Sequence, residues 1–312
     1  MDHFISFNSC DLLSKMDIKE QKELKKQLLN YKLEYRKKIN IDSNATFGIE
    51  IEVEYNKGEN FYKELSSFYE KGWSLEYEST LVNGDEMKSP ILRGNDSWDD
   101  LKEICNVLKQ YYTIKKTCGG HIHIGTQVLG DKKVSWQNFC KLWTSYENII
   151  YRFTAGEYLN TRKYAFCYAK PLAKDIQFYK QENEYHIQGL FAKDKGVCFK
   201  NVKGFEEIFN NTIEFRCPNG TLEPVVWQNN IQFFLQFLNY CKNSNFDYDV
   251  VNKREKLIVD EERYHLIDFE CALELADLIF HNNLDKLYFL RQYLKDGRES
   301  EIYEKSKQFI KK

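Results

Sequence analysis

Three short segments of this chain alternate with a period of two between apolar residues and residues able to bind a cation or an anion. In FGIEIEVEY (47–55), Phe47, Ile49, Ile51, Val53 and Tyr55 share one parity, and Glu50, Glu52 and Glu54 the other. In CGGHIHIG (118–125), Ile122 and Ile124 alternate with His121 and His123. In NTIEFRC (211–217), Ile213 and Phe215 alternate with Thr212, Glu214 and Arg216. Successive side chains of a strand point to opposite faces. Each segment therefore reads as a half-buried strand with one apolar face for a core. If the three lie in one sheet, the opposite face gathers carboxylates, imidazoles and a guanidinium, with no lysine at these positions. Oxygen-rich sites with a few nitrogens suit Mg²⁺ or Mn²⁺.

Each motif alone has a plainer reading. A polar strand face is ordinarily solvated, a Glu-x-Arg pair is ordinarily a surface ion pair, and a His pair is as readily structural as metal-binding. The conjunction carries the functional reading. A further piece is WSLEYESTLVNGDEMKSPIL (73–92), where Asn83-Gly84 signals a hairpin between strand-like runs. Glu78 and Glu86 flank the turn. A two-residue turn puts them on opposite faces; a three-residue loop, with Gly84 left-handed at a bulge, puts them on the same face.

Around these motifs the pattern mixes strands and helices. Strands are expected at 47–55, 74–82, 85–92, 119–126, 196–202 and 210–217. Helices are expected at 97–112, capped by Ser97, at 135–153, capped by Ser135, and at 224–242, with Pro224 in the first turn. Leu24, Leu28, Tyr31, Tyr35 and Ile39 recur at spacings of three and four, which predicts an amphipathic helix over 15–40, followed by a strand from Ile41 to Thr46. Helices at 268–281, 283–295 and 299–311 complete the chain. The expected division is an N-terminal helical extension (1–44), a catalytic domain (45–245) and a C-terminal helical segment (246–312).

The net charge of −2 lacks the basic excess of a nucleic-acid binder. Nine cysteines, an odd number without C-x-x-C spacing, fit reduced thiols in a cytosol. No signal-peptide pattern opens the chain, and no apolar run approaches the roughly 20 residues that span a bilayer. A soluble cytoplasmic protein is expected, with no membrane partner.

Taken in order, FGIEIE (47–52), EMKSPIL (86–92), CGGHIHIG (118–125), RKY (162–164) and TIEFRCPNGTL (212–222) resemble the amidoligase family, a branch of the glutamine synthetase-like carboxylate–amine ligases. The resemblance covers roughly residues 45–242. It implies an α+β fold, with an antiparallel sheet like that of glutamine synthetase and helices on one face. It also implies an ATP- and Mg²⁺-dependent ligase joining a carboxylate to an amine (of an amino acid, a peptide or a protein terminus) through an acyl phosphate. In its light Glu50, Glu52, Glu86, His121 and Glu214 look like metal ligands, and Glu78 stands where the family commonly has an Asp. His123 resembles the histidine nearer the nucleotide, and Arg216 the arginine on the transferring phosphoryl group. Arg162 matches an arginine of an R-x-Y segment with Tyr164 beside it, and Asn201 an asparagine facing the site. A phosphotransferase on the same scaffold, like the guanidino kinases, and a metal-dependent hydrolase are the alternatives. The absence of a G-x-x-x-x-G-K-[ST] motif leaves metals and arginine to hold the phosphates.

Overall fold

The structure, a computed structural model, describes residues 13, 15–55, 61–156, 162, 165–172, 192–202, 211–243, 245–254 and 267–295. The long first strand β1 (Thr46–Tyr55) lies at the centre of an eight-stranded sheet. The other strands of the main order are β2 (Ser74–Glu78), β3 (Gly84–Lys88), β6 (Gly120–Gly125), β7 (Val197–Cys198) and β8 (Thr212–Phe215). The order is β2-β3-β1-β6-β8-β7, and every pairing in it is antiparallel. Two short strands, β4 (Leu92–Arg93) and β5 (Tyr112–Thr113), pair with the two ends of β1.

The apolar parity becomes the core. Ile51, Val53, Ile122, Ile124, Ile213 and Phe215 are fully buried. Helices pack on this face: α2 (Phe61–Glu70), α3 (Trp98–Tyr111), α4 (Lys133–Thr154) and α6 (Pro224–Lys242), with a single turn α5 (Ala165–Tyr168) between the last two. Phe215 of the sheet stacks on Phe234 of α6, with 3.8 Å between ring centroids, and on Trp143 of α4 at 5.7 Å. The chain ends its described part in α7 (Tyr248–Arg254), α8 (Phe269–Ile279) and α9 (Asn283–Leu294), which pack on α4, α6 or both.

Several expected boundaries move, each for a local reason. The first helix, α1, runs only from Ile18 to Asn30, opened by a capping box between Asp17 and Glu20. Residues 31–40 form no helix, because side-chain amides seize their backbone. Gln228 accepts from Arg36 N at 2.9 Å and donates to Arg36 O at 2.7 Å. Asn95 does the same for Ile39, at 2.9 and 3.2 Å, and Gln236 donates to Asn40 O. Tyr31, Tyr35 and Ile39 still face inward, but as a strap. The expected strand 41–46 is a turn that enters β1 at its last residue.

Ser97 does not cap α3. It closes a 3-10 turn (Gly94–Ser97), and its hydroxyl accepts from Arg93 N. Helix α4 starts at Lys133, so Ser135 lies buried within it. In the hairpin, Asn83 takes the left-handed conformation (φ 55°), and Gly84 opens β3. A Cβ on Gly84 would lie 2.5 Å from that of Leu81, so the glycine is needed for close approach. The expected helix 299–311 lies outside the described residues.

Candidate active site

Directly opposite residues of an antiparallel pair project to the same face. The observed register therefore lays the polar side chains out in rows. Lys88, Glu50 and His121 oppose one another across β3, β1 and β6. Glu76, Glu86 and Glu52 do so across β2, β3 and β1. Gly48, His123, Glu214 and Cys198 form a third row across β1, β6, β8 and β7. The three motifs bring no lysine to this face, but β3 adds one, Lys88, its last residue, just before Ser89-Pro90.

Glu50 is the hub. Its Oε2 lies 2.6 Å from His121 Nδ1, and its Oε1 lies 3.3 Å from His123 Nε2. Two groups of ligand atoms, Glu50–Glu86–His121 and Glu50–His123–Glu214, each lie within 4.8 Å of one another and could hold a metal ion. The donors fit such an ion: His121 Nε2 and His123 Nε2 are shielded from solvent, and each faces a carboxylate oxygen, that of Glu52 and of Glu50 respectively. His121 also approaches Glu52 Oε1 and Glu86 Oε1, both at 3.6 Å.

The electrostatics say the same thing. Burial pushes the Glu50 carboxyl up, but hydrogen bonds and charge from His121 and His123 win and hold it well below the usual carboxylate range. Burial and the neighbouring Glu50 charge push Glu86 the other way, up to about 8, against the pull of Lys88. For His123, burial favours the neutral ring, yet the Glu50 carboxylate raises its pKa. Crowded buried carboxylates are unfavourable unless cations compensate them.

Arginines close the far side. Arg216 pairs with Glu214. Arg162 is buried, which favours its neutral form. It donates to Arg216 O at 3.1 Å and sits 3.9 Å from Glu52. The same Glu52 oxygen, Oε2, accepts from the Gly119 N–H. Gly119 must be glycine for this: a Cβ there would lie 2.1 Å from Arg162 Nη2. Gly120 similarly makes room for Trp227.

A cavity of about 440 Å³ opens on this face, lined by Glu50, Lys88, His123, Asn201, Asn211 and Thr212 among others. Asn201 thus borders the site. Glu78 shares a face with Glu86, across residues 79–83 with Asn83 left-handed rather than across a three-residue loop with a left-handed Gly84, but it is not brought into the cluster: its carboxylate accepts from Thr80 N. Glu54, the third carboxylate of its strand, is buried and bonded to Lys115 and Thr117. Tyr164 and most of 154–195 lie outside the described residues. Lys88 and Asn211 were missed from the sequence; extending the parity from Glu86 by two residues would have found Lys88.

The model of a family described as putative amidoligase enzyme matches residues 34–238, well over half of the chain. The chain belongs to the amidoligase family. It is thus an enzyme of carboxylate–amine ligase type, and the matched span contains every polar strand of the face just described. No curated protein matches it. Among solved structures, a crystal structure of a novel glutamine synthase homolog is similar at 12% identity, over 86% of this chain and 70% of that one, with a TM-score of 0.38. That likeness is too loose to carry an argument. The α+β architecture stands on the sheet and helices themselves. Among the described residues, no helix is long and apolar enough to cross a membrane.

Proposed function

We propose that the chain is an ATP-dependent ligase that activates a carboxylate as an acyl phosphate and lets an amine displace the phosphate. The observation that supports this best is Glu50 offering one oxygen towards each of two imidazoles in adjoining carboxylate–histidine groups, at the edge of a cavity. Glu50, Glu86 and His121, with Glu50, His123 and Glu214, would hold divalent cations, and the oxygen-rich set favours Mg²⁺ or Mn²⁺. Such cations supply positive charge to the phosphate oxygens of ATP.

The chain's own residues do the rest. Arg216 neutralises oxygens of the phosphoryl group in transfer, which its planar fork does better than an ammonium. Arg162 holds the Arg216 backbone through its carbonyl and faces Glu52. His123 and Asn201 border the nucleotide's phosphates. Glu52 and Glu78 are the weaker members of the proposed ligand set, since Glu52 is engaged by Gly119 and Arg162 and Glu78 by Thr80. Excluding water from the acyl phosphate prevents its hydrolysis.

The test is a search for ATP-dependent condensation. Libraries of carboxylates and amines are incubated with the protein, ATP and Mg²⁺, and products are sought by mass spectrometry. The proposal expects a product lighter than the summed substrates by one water, with stoichiometric ADP and phosphate. Hydrolysis that proceeds without ATP would instead place the protein among metal-dependent hydrolases.

A further inference from the structure

Lys88 is the one charged wall residue of the cavity that the reading above leaves without a role. It opposes Glu50 in the β1–β3 register, so it points to the polar face beside the proposed cations. Its ammonium lies 2.7 Å from Glu76 Oε2 and 3.1 Å from Glu86 Oε2. An ammonium has three donors, and these two contacts leave the third without a partner among the described residues. The side chain is 32% exposed, so that donor reaches the solvent of the cavity.

The two partners are unequal. Glu86 is buried and belongs to a group of ligand atoms that could hold a cation. Glu76 is 55% exposed and lies on the edge strand, outside both groups. A cation on Glu86 Oε1, the oxygen towards His121, draws on the charge of that carboxylate and weakens the hold of Oε2 on Lys88, which Glu76 still tethers. We propose that Lys88 is a ligand-binding residue, whose ammonium binds an oxyanion that also reaches the cations. This rests on the ligase reading, and the oxyanion is either a phosphate of the nucleotide or the carboxylate of the acceptor substrate. Nothing covalent is asked of the lysine; it supplies a fixed positive charge and one or two hydrogen bonds. The plainer reading is a cross-strand surface ion pair, which contributes little.

Binding by the full chain separates these readings. The probes are Mn²⁺ alone, tripolyphosphate with Mg²⁺, and glutarate with Mg²⁺, each measured calorimetrically on wild type, Lys88→Met and Lys88→Arg. The expected result is Mn²⁺ affinity within a few-fold of wild type in Lys88→Met, with a loss of about tenfold or more for one anion, the scale of a charge-assisted hydrogen bond. Lys88→Arg, which keeps the charge, should recover most of that loss. A loss confined to tripolyphosphate assigns the residue to the nucleotide, and a loss confined to glutarate assigns it to the carboxylate substrate. Unchanged affinity for both anions in Lys88→Met overturns the inference and leaves the ion pair. Wild type that binds Mn²⁺ but neither anion overturns the inference alone; wild type that binds none of the three probes overturns the ligase reading with it.

Discussion

Glu50 and Arg216 show how much a single side chain decides in this site. Glu50 places its two oxygens against two different imidazoles, so no other residue can replace it in both groups of ligand atoms. Arg216 lies beside a proposed ligand, Glu214, and its role can be separated from structure by kinetics. Arg216→Lys should lower kcat by about 10²- to 10³-fold, the scale of losing a positioned electrostatic donor, while the melting temperature changes little. Turnover at the wild-type level would remove Arg216 from the chemistry. Six site residues, Glu50, Glu52, His121, His123, Glu214 and Arg216, were legible because strand parity is a local property. Lys88 carries the parity of Glu86 two residues before it, and its pairing with Glu50 on β1 sets it on the same face. Glu54 shared the parity of its neighbours, yet from the chain before β6 Lys115 neutralises it and Thr117 donates to it, which no pattern within β1 could reveal.

At the scale of elements, the strands of the polar face and the helix 224–242 were legible, and the end of α1 was not. A strand's alternation survives whatever packs around it, whereas the end of α1 is set by distant amides. Nothing in residues 31–40 stops a helix locally; Gln228, Asn95 and Gln236 do so by bonding the backbone. Gln228→Leu should therefore cost about 2 kcal/mol, since it strands the N–H and C=O of Arg36. Urea unfolding would show this, and Mn²⁺ binding to the folded protein should be unchanged. The start of β6 offers a second test, because Gly119 makes room for Arg162. Gly119→Ala should lower kcat on the order of 10- to 100-fold by misplacing that arginine. In an Arg162→Ala background the same change should cost little more, because both substitutions remove one arrangement. Independent, additive losses would show that Gly119 acts on something else.

For the whole molecule, the polar face sets stability against pH and metal. A carboxyl whose pKa is raised on folding binds more protons in the native state, so its contribution to stability falls as pH rises between its unfolded and folded values. Glu86, raised to about 8, should weaken the metal-free protein as pH climbs from about 4.5 towards 8. Glu50, depressed, acts oppositely and only at acid pH. Divalent cations compete with the proton on Glu86, so their stabilising effect should grow over that same climb. At a hundred times the dissociation constant it should reach about 2.7 kcal/mol per site, read as a rise in melting temperature. The central claim is that Glu50 joins two cation sites on one sheet face, and calorimetric titration of Mn²⁺ into wild type and Glu50→Gln at pH 8 tests it most directly. The account predicts two ions per chain for wild type and loss of tight binding at both sites in the folded variant. A Glu50→Gln protein that binds Mn²⁺ as tightly and in the same number as wild type would contradict it.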